Sequence, residues 1–138
     1  RMKIKELMRD LITEEISDIC SYSAEAELFG GDLRQGERIR ELFTGLADEK
    51  RARLKDFDRI SRERTGFRQR RLETPRSIEA ALRAHVSRTE KSVALYSSLL
   101  KLIRNPEYQE AFRNIIVRER EVLADLRELQ ARIKRPIK

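Results

Sequence analysis

The sequence predicts an all-α protein, a single antiparallel four-helix bundle of long helices that occupies residues 1–138. Ala, Leu, Glu, Lys and Arg make up 75 of the 138 residues, and a fraction near half is typical of long helices. Five glycines and three prolines are too few for the turns of a β fold. Four segments have apolar residues at helical spacing, which predicts helices at about 2–29, 34–62, 75–104 and 106–133.

The first two predicted helices form a hairpin. The apolar stripe of the first runs from Ile4 to Phe29 and ends at Gly30-Gly31, because glycine tolerates the left-handed backbone that follows a helix C-terminus. The second stripe runs from Ile39 to Ile60. Since the turn between them is short, we expect the two helices to pack antiparallel.

The third and fourth predicted helices begin with the same local signal, a capping residue followed by proline. Thr74-Pro75 opens the third and Asn105-Pro106 opens the fourth, and proline is tolerated at the first helical position. The connection at 63–74 could extend over about 40 Å. A lengthwise crossover with helices two and three parallel is therefore possible, and a plain up-down-up-down bundle is the alternative.

Composition limits where in the cell the protein is expected to be and which cysteine chemistry it can have. No apolar run approaches the roughly 20 residues of a membrane span, and the N-terminus has no apolar segment typical of a signal peptide. Cys20 is the only cysteine, which excludes an internal disulfide and a CxxC metal site. We therefore expect a cytoplasmic protein that does not contact a membrane.

The positive charge is concentrated in one segment. The formal net charge is +7, and residues 62–76 contain six arginines against Glu63 and Glu73: Arg62, Arg64, Arg68, Arg70, Arg71 and Arg76. Such a cluster can attract phosphate, which leaves weak, salt-dependent binding of nucleic acid or an acidic partner as one hypothesis. The favoured interpretation is a solvated loop.

Three glutamates fall in the middle of stripes that are otherwise apolar: Glu15, Glu49 and Glu119. A buried carboxylate is costly unless it is paired or binds a metal, and carboxylates that converge from separate helices are what a metal site in a bundle requires. The alternative is that each lies at the edge of its stripe or pairs with Arg53.

These residues carry a resemblance to a known family. Glu15 lies seven residues before Tyr22, Glu49 ends the run Leu46-Ala47-Asp48-Glu49, and Tyr96 precedes Phe112 and Glu119. The pattern resembles the rubrerythrin branch of the ferritin-like superfamily. That resemblance implies a ferritin-like bundle with a Glu seven residues before a Tyr on helices one and three, and Glu-x-x-His on helices two and four, as ligands of two irons.

Three ligand positions implied by this resemblance carry other residues. Ala52 and Val122 stand where the two histidines belong, and Thr89 stands seven residues before Tyr96, with Glu90 one step off the stripe. Both apolar residues are expected to fill the core. The resemblance therefore implies a degraded di-iron site without a cofactor, and iron or another divalent metal bound at an altered site is the alternative.

Other residues could compensate for the lost ligands. His85, the only histidine, could serve as a nitrogen ligand beside Glu15, Glu49 and Glu119, although a single histidine is more often hydrogen-bonded or exposed. Arg53 could neutralise interior carboxylates where a metal is missing. The hydroxyls of Tyr22 and Tyr96 are expected to satisfy the interior glutamates.

Three functional hypotheses follow. The first is a non-catalytic structural or interaction module, a homodimer formed through apolar edges such as Phe29, Phe67 and Leu72. The second is a protein that handles iron or peroxide at an altered, carboxylate-rich site. The third is a basic helical protein that binds nucleic acid or an acidic partner.

Overall fold

The computed structural model describes residues 2–31, 35–61 and 73–134, and within these ranges every regular element is an α-helix. The helices are α1 (Met2–Phe29), α2 (Gly36–Ser61), α3 (Ile78–Leu102) and α4 (Pro106–Lys134). The predicted all-α class with four long helices is confirmed. None of the described helices combines the length and the apolar character needed to cross a membrane.

The chain divides into two helix pairs, α1 with α2 and α3 with α4. The division falls between Thr74 and Pro75, at the boundary between the two hairpins that the sequence predicts. The ferritin-like arrangement of four helices stays a prediction.

The order of the contacts in the first pair shows the relative direction of α1 and α2. Near the turn, the rings of Tyr22 and Phe43 meet edge-to-face with their centroids 5.1 Å apart. Further from the turn, Glu15 of α1 contacts Lys50 of α2. Because residue numbers fall along α1 as they rise along α2, the two helices are antiparallel to each other.

Gly30, just after the end of α1, is packed closely against its neighbours. A Cβ on Gly30 would lie 2.4 Å from the carbonyl oxygen of Ala26 and 2.8 Å from Nε of Arg40. The predicted left-handed glycine was wrong, because neither Gly30 nor Gly31 has a positive φ. Among the described residues, the one with a left-handed backbone is Gln35, with φ 66°.

The start of α4 matches its sequence signal. Oδ1 of Asn105 accepts hydrogen bonds from the backbone N–H groups of Glu107, at 2.9 Å, and Tyr108, at 3.4 Å. Pro106 is the first helical residue. Asn105 therefore satisfies amides that have no partner inside the helix.

The start of α3 differs from the prediction. The helix begins at Ile78, and Oγ of Ser77 accepts a hydrogen bond from the backbone N–H of Ala80 at 3.1 Å. The predicted cap at Thr74-Pro75 was wrong, because these two residues lie outside the helix. Ser77 caps as well as Thr and lies three residues closer to the apolar stripe.

Each pair has an aromatic contact in its core. Tyr96 and Phe112 join α3 to α4 edge-to-face with ring centroids 5.6 Å apart, as Tyr22 and Phe43 join α1 to α2. All four side chains are less than 2% exposed. Such pairs contribute about 0.5–1.5 kcal/mol beyond the apolar area they bury.

Two leucines of opposite exposure test this description of the core. Leu126 is 0% exposed and Leu28 is 50% exposed. We expect Leu126→Ala to lower the free energy of unfolding by about 2–5 kcal/mol, because it leaves a cavity. The same change at Leu28 should stay within about 0.5 kcal/mol. Urea unfolding followed by circular dichroism measures both, and equal losses would contradict the assigned core.

Candidate functional site

Four charged side chains meet in the middle of the α1–α2 pair and form what we term the Glu15 cluster: Glu15, Asp18, Lys50 and Arg53. Nζ of Lys50 donates hydrogen bonds to Oε2 of Glu15 at 2.9 Å and to Oδ2 of Asp18 at 3.1 Å. Nη1 of Arg53 donates to Oε1 of Glu15 at 3.0 Å. Both carboxylate oxygens of Glu15 therefore accept from a cation.

The Glu15 cluster is buried. Glu15, Asp18, Lys50 and Arg53 are 1%, 5%, 3% and 8% exposed. Two carboxylates and two cations give no formal net charge. The mutual attraction of buried ions offsets the large cost of removing them from water only when their geometry and hydrogen bonds are good. Loss of one member should therefore cost much more than loss of a surface ion pair.

Helical spacing brings these side chains together. Asp18 follows Glu15 by three residues on α1, and Arg53 follows Lys50 by three on α2, so each pair occupies one face of its helix. The stem of lysine is apolar and can be buried while its ammonium reaches a partner. The buried face of α2 then runs without a break: Ile39, Phe43, Leu46, Lys50, Arg53 and Phe57.

Two positions predicted for the buried face of α2 were wrong. Glu49 and Ala52 are both exposed, so Glu49 is no interior carboxylate and Ala52 does not fill the core. The buried face passes through the next residue in each case, Lys50 and Arg53, because one residue corresponds to a rotation of about 100°. Arg53 is buried as predicted, and its carboxylate partner is Glu15.

The α3–α4 pair also contains buried polar residues. His85, Thr89 and Glu119 are buried, so the exposed alternative for His85 is wrong, and its role as a metal ligand stays a prediction. Val122 is buried as predicted. Glu90 points outward, where its Oε2 accepts a hydrogen bond from Nη2 of Arg127 at 3.0 Å.

The remaining predicted residues fall in several places. Tyr22 and Tyr96 are buried, and hydrogen bonds from their hydroxyls to interior glutamates stay a prediction. Cys20 is buried and forms no disulfide. Phe29 is buried, so it is no exposed apolar edge.

Most of the arginine-rich segment lies outside the described residues, as do Phe67 and Leu72. The arginines concerned are Arg62, Arg64, Arg68, Arg70 and Arg71. The remaining one, Arg76, is exposed.

The described residues contain no group of three or more His, Cys, Asp and Glu side chains placed to hold a metal ion. Each oxygen of the Glu15 carboxylate accepts a hydrogen bond from a side-chain nitrogen, one from Lys50 and one from Arg53. Lysine and arginine cations donate hydrogen bonds and have no acceptor lone pair. These two side chains can therefore neutralise Glu15 and cannot ligate a metal beside it.

No protein-family model, curated protein or solved structure matches this chain. The rubrerythrin-like resemblance stays a prediction.

Sequence analysis missed Asp18 and Lys50. Asp18 could have been found, because it lies three residues after Glu15 on the same helical face. Lys50 carried a weaker signal, since lysine is almost never fully buried unless it is paired. Two acids on one face of α1, opposite two bases on α2, are the pattern that indicates an ion-pair cluster.

Two lysines of α2 test the cluster. Lys50→Met removes a cation and leaves the carboxylate of Asp18 buried beside an apolar side chain, so we expect a loss of about 3–5 kcal/mol in unfolding free energy. Lys55→Met, the same change at an exposed position, should stay within about 0.5 kcal/mol. Urea unfolding measures both, and a Lys50 variant as stable as the Lys55 variant would refute the structural role of Lys50.

Proposed function

We propose that this chain is a non-catalytic structural or interaction module of the ferritin-like type, in which Lys50 and Arg53 supply the positive charge that metal ions supply in di-iron relatives. The supporting observation is that both oxygens of Glu15 accept hydrogen bonds from these cations at 2.9 and 3.0 Å. A module of this kind acts through its surface.

The spacing of the two cations supports this proposal. Under the rubrerythrin-like resemblance, the second helix presents Glu-x-x-His to the irons. Among the described residues of α2, the buried charged pair with this spacing is Lys50 and Arg53, one position later than Glu49 and Ala52. Both ligand positions would then hold permanent cations, which repel a metal ion and offer it no lone pair.

The proposed charge replacement also explains why Glu15 can persist without a metal. An isolated buried carboxylate is too costly to keep. Two cations at hydrogen-bond distance satisfy the same oxygen atoms and preserve the packing of α1 against α2. The fold can therefore remain after the family's chemistry has gone, because function belongs to the site and not to the fold.

A homodimer remains part of the proposal. Phe29 no longer supports it, so it depends on Phe67 and Leu72, which lie outside the described residues. Sedimentation velocity at several protein concentrations tests it directly. A single species with the mass of one chain, 16.3 kDa, at all concentrations would exclude the dimer.

Metal loading tests the proposed function. The protein is loaded with ferrous iron in air, freed of excess iron and measured by elemental analysis. We expect it to retain no stoichiometric iron, because Lys50 and Arg53 already bind the two carboxylate oxygens of Glu15. Two irons per chain that disappear in Glu15→Gln would contradict the proposal and support a protein that handles iron or peroxide.

Single-stranded DNA binding that weakens steeply with salt would favour the third hypothesis, a basic nucleic-acid binder.

A double variant tests the proposed replacement of metal ions by Lys50 and Arg53, because it puts metal-ligating side chains back at these two positions. Lys50→Glu with Arg53→His places a carboxylate and an imidazole beside Glu15, and both can ligate divalent metals. We expect this variant to bind about one Co²⁺ per chain, seen as visible absorption bands, while the parent protein gives none. The matched control is Lys55→Glu with Arg59→His on the exposed face of α2. Equal binding by both variants would contradict the proposed replacement.

A further inference from the structure

A groove lies between α1 and α2, and no residue of the Glu15 cluster lines it. Its volume is about 210 Å³. Seven residues line it: Ser23, Ala26, Glu27, Arg40, Thr44, Ala47 and Arg51. We name it the Arg40–Arg51 groove after the residues at its two ends.

Helical spacing determines the shape of the groove. The residues that α2 contributes, Arg40, Thr44, Ala47 and Arg51, follow one another at intervals of four, three and four, which keeps them on one face. At about 1.5 Å per residue, the two arginines are roughly 16 Å apart along the helix. Ala26 and Ala47 are small and buried, so they form the floor, and the polar residues form the walls.

The two arginines are held differently. Arg51 donates hydrogen bonds to Oγ of Ser23 at 3.0 Å and to Oδ1 of Asp48 at 3.1 Å, so its guanidinium is oriented across the groove. Arg40 lies against Gly30, where any Cβ would come within 2.8 Å of its Nε. Among the described residues, none forms a hydrogen bond or an ion pair with Arg40, so these residues do not use the donors of its guanidinium.

We propose that the Arg40–Arg51 groove binds a small organic phosphate. The guanidinium of Arg40 contacts the phosphate in a two-point hydrogen bond, a geometry that arginine favours with phosphate. The hydroxyl of Thr44, one turn further along α2, donates to the same group. Arg51 contacts a second polar or anionic group at the other end of the ligand.

The size and charge of the groove define the ligand class. The volume is below the roughly 300–1,000 Å³ of sites for drug-sized molecules, so the ligand is small. Arg51 is already paired with Asp48, so the positive charge that attracts an anion comes from Arg40, and Glu27, the acid of the lining, opposes it. This inference is independent of the proposed function, because none of the lining residues belongs to the Glu15 cluster.

Calorimetric titration with inorganic pyrophosphate at low salt tests the proposal. We expect the parent protein to bind one pyrophosphate, and Arg40→Gln to weaken binding about tenfold or more, the range for a hydrogen bond between charged groups. The control is Arg113→Gln, which removes the same charge from an exposed site on α4. If both variants weaken binding equally, attraction is only to the net charge and the groove proposal fails.

A second variant separates a site from a general charge effect. Glu27→Gln removes the opposing carboxylate, and we expect it to tighten pyrophosphate binding several-fold. Glu121→Gln, an exposed acid on α4, makes the same change in net charge and should leave the affinity unchanged. Circular dichroism checks that all variants keep their helices. Equal tightening by both, or no binding of pyrophosphate by the parent protein at millimolar concentration, would overturn the proposal.

Discussion

A carboxylate buried in the middle of a helix requires positive charge beside it, and Glu15 obtains that charge from Lys50 and Arg53. This requirement fixes how α1 and α2 align. If α2 were rotated by one residue, Glu49 would replace Lys50 and two acids would face each other in a dry environment. The aromatic contact between Tyr22 and Phe43 lies two turns from Glu15 along α1 and depends on the same alignment.

The same interaction connects the fold to its proposed function. A metal ion and a pair of protein cations both neutralise converging carboxylates, but only the metal supplies redox chemistry. In the proposed function, replacement of one by the other would preserve the packing while removing the reaction. The Arg40–Arg51 groove uses arginine in the opposite way. There a guanidinium at the surface, without a partner among the described residues, offers its hydrogen bonds to a ligand.

Much of the fold could be predicted from the sequence, because the signals are local. The stripe of α1 is buried from Met8 to Phe29, and Asn105-Pro106 begins α4 as predicted. The buried face of α2 could not be determined in the same way. From Leu46 to Arg53, a path through Glu49 and a path through Lys50 both follow helical spacing. Only the partners on α1, Glu15 and Asp18, decide between an acid and a base, and these contacts are not local in sequence.

The most direct test of the central claim is a double-mutant cycle between Glu15 and Lys50, with Glu15→Gln and Lys50→Met measured singly and together by urea unfolding. Residues in one ion-pair network couple by about 0.5–3 kcal/mol. The account predicts a coupling of more than about 1 kcal/mol, with the double variant less destabilised than the sum of the two single variants. Additivity within about 0.3 kcal/mol would show that Lys50 does not neutralise Glu15 and would contradict the account.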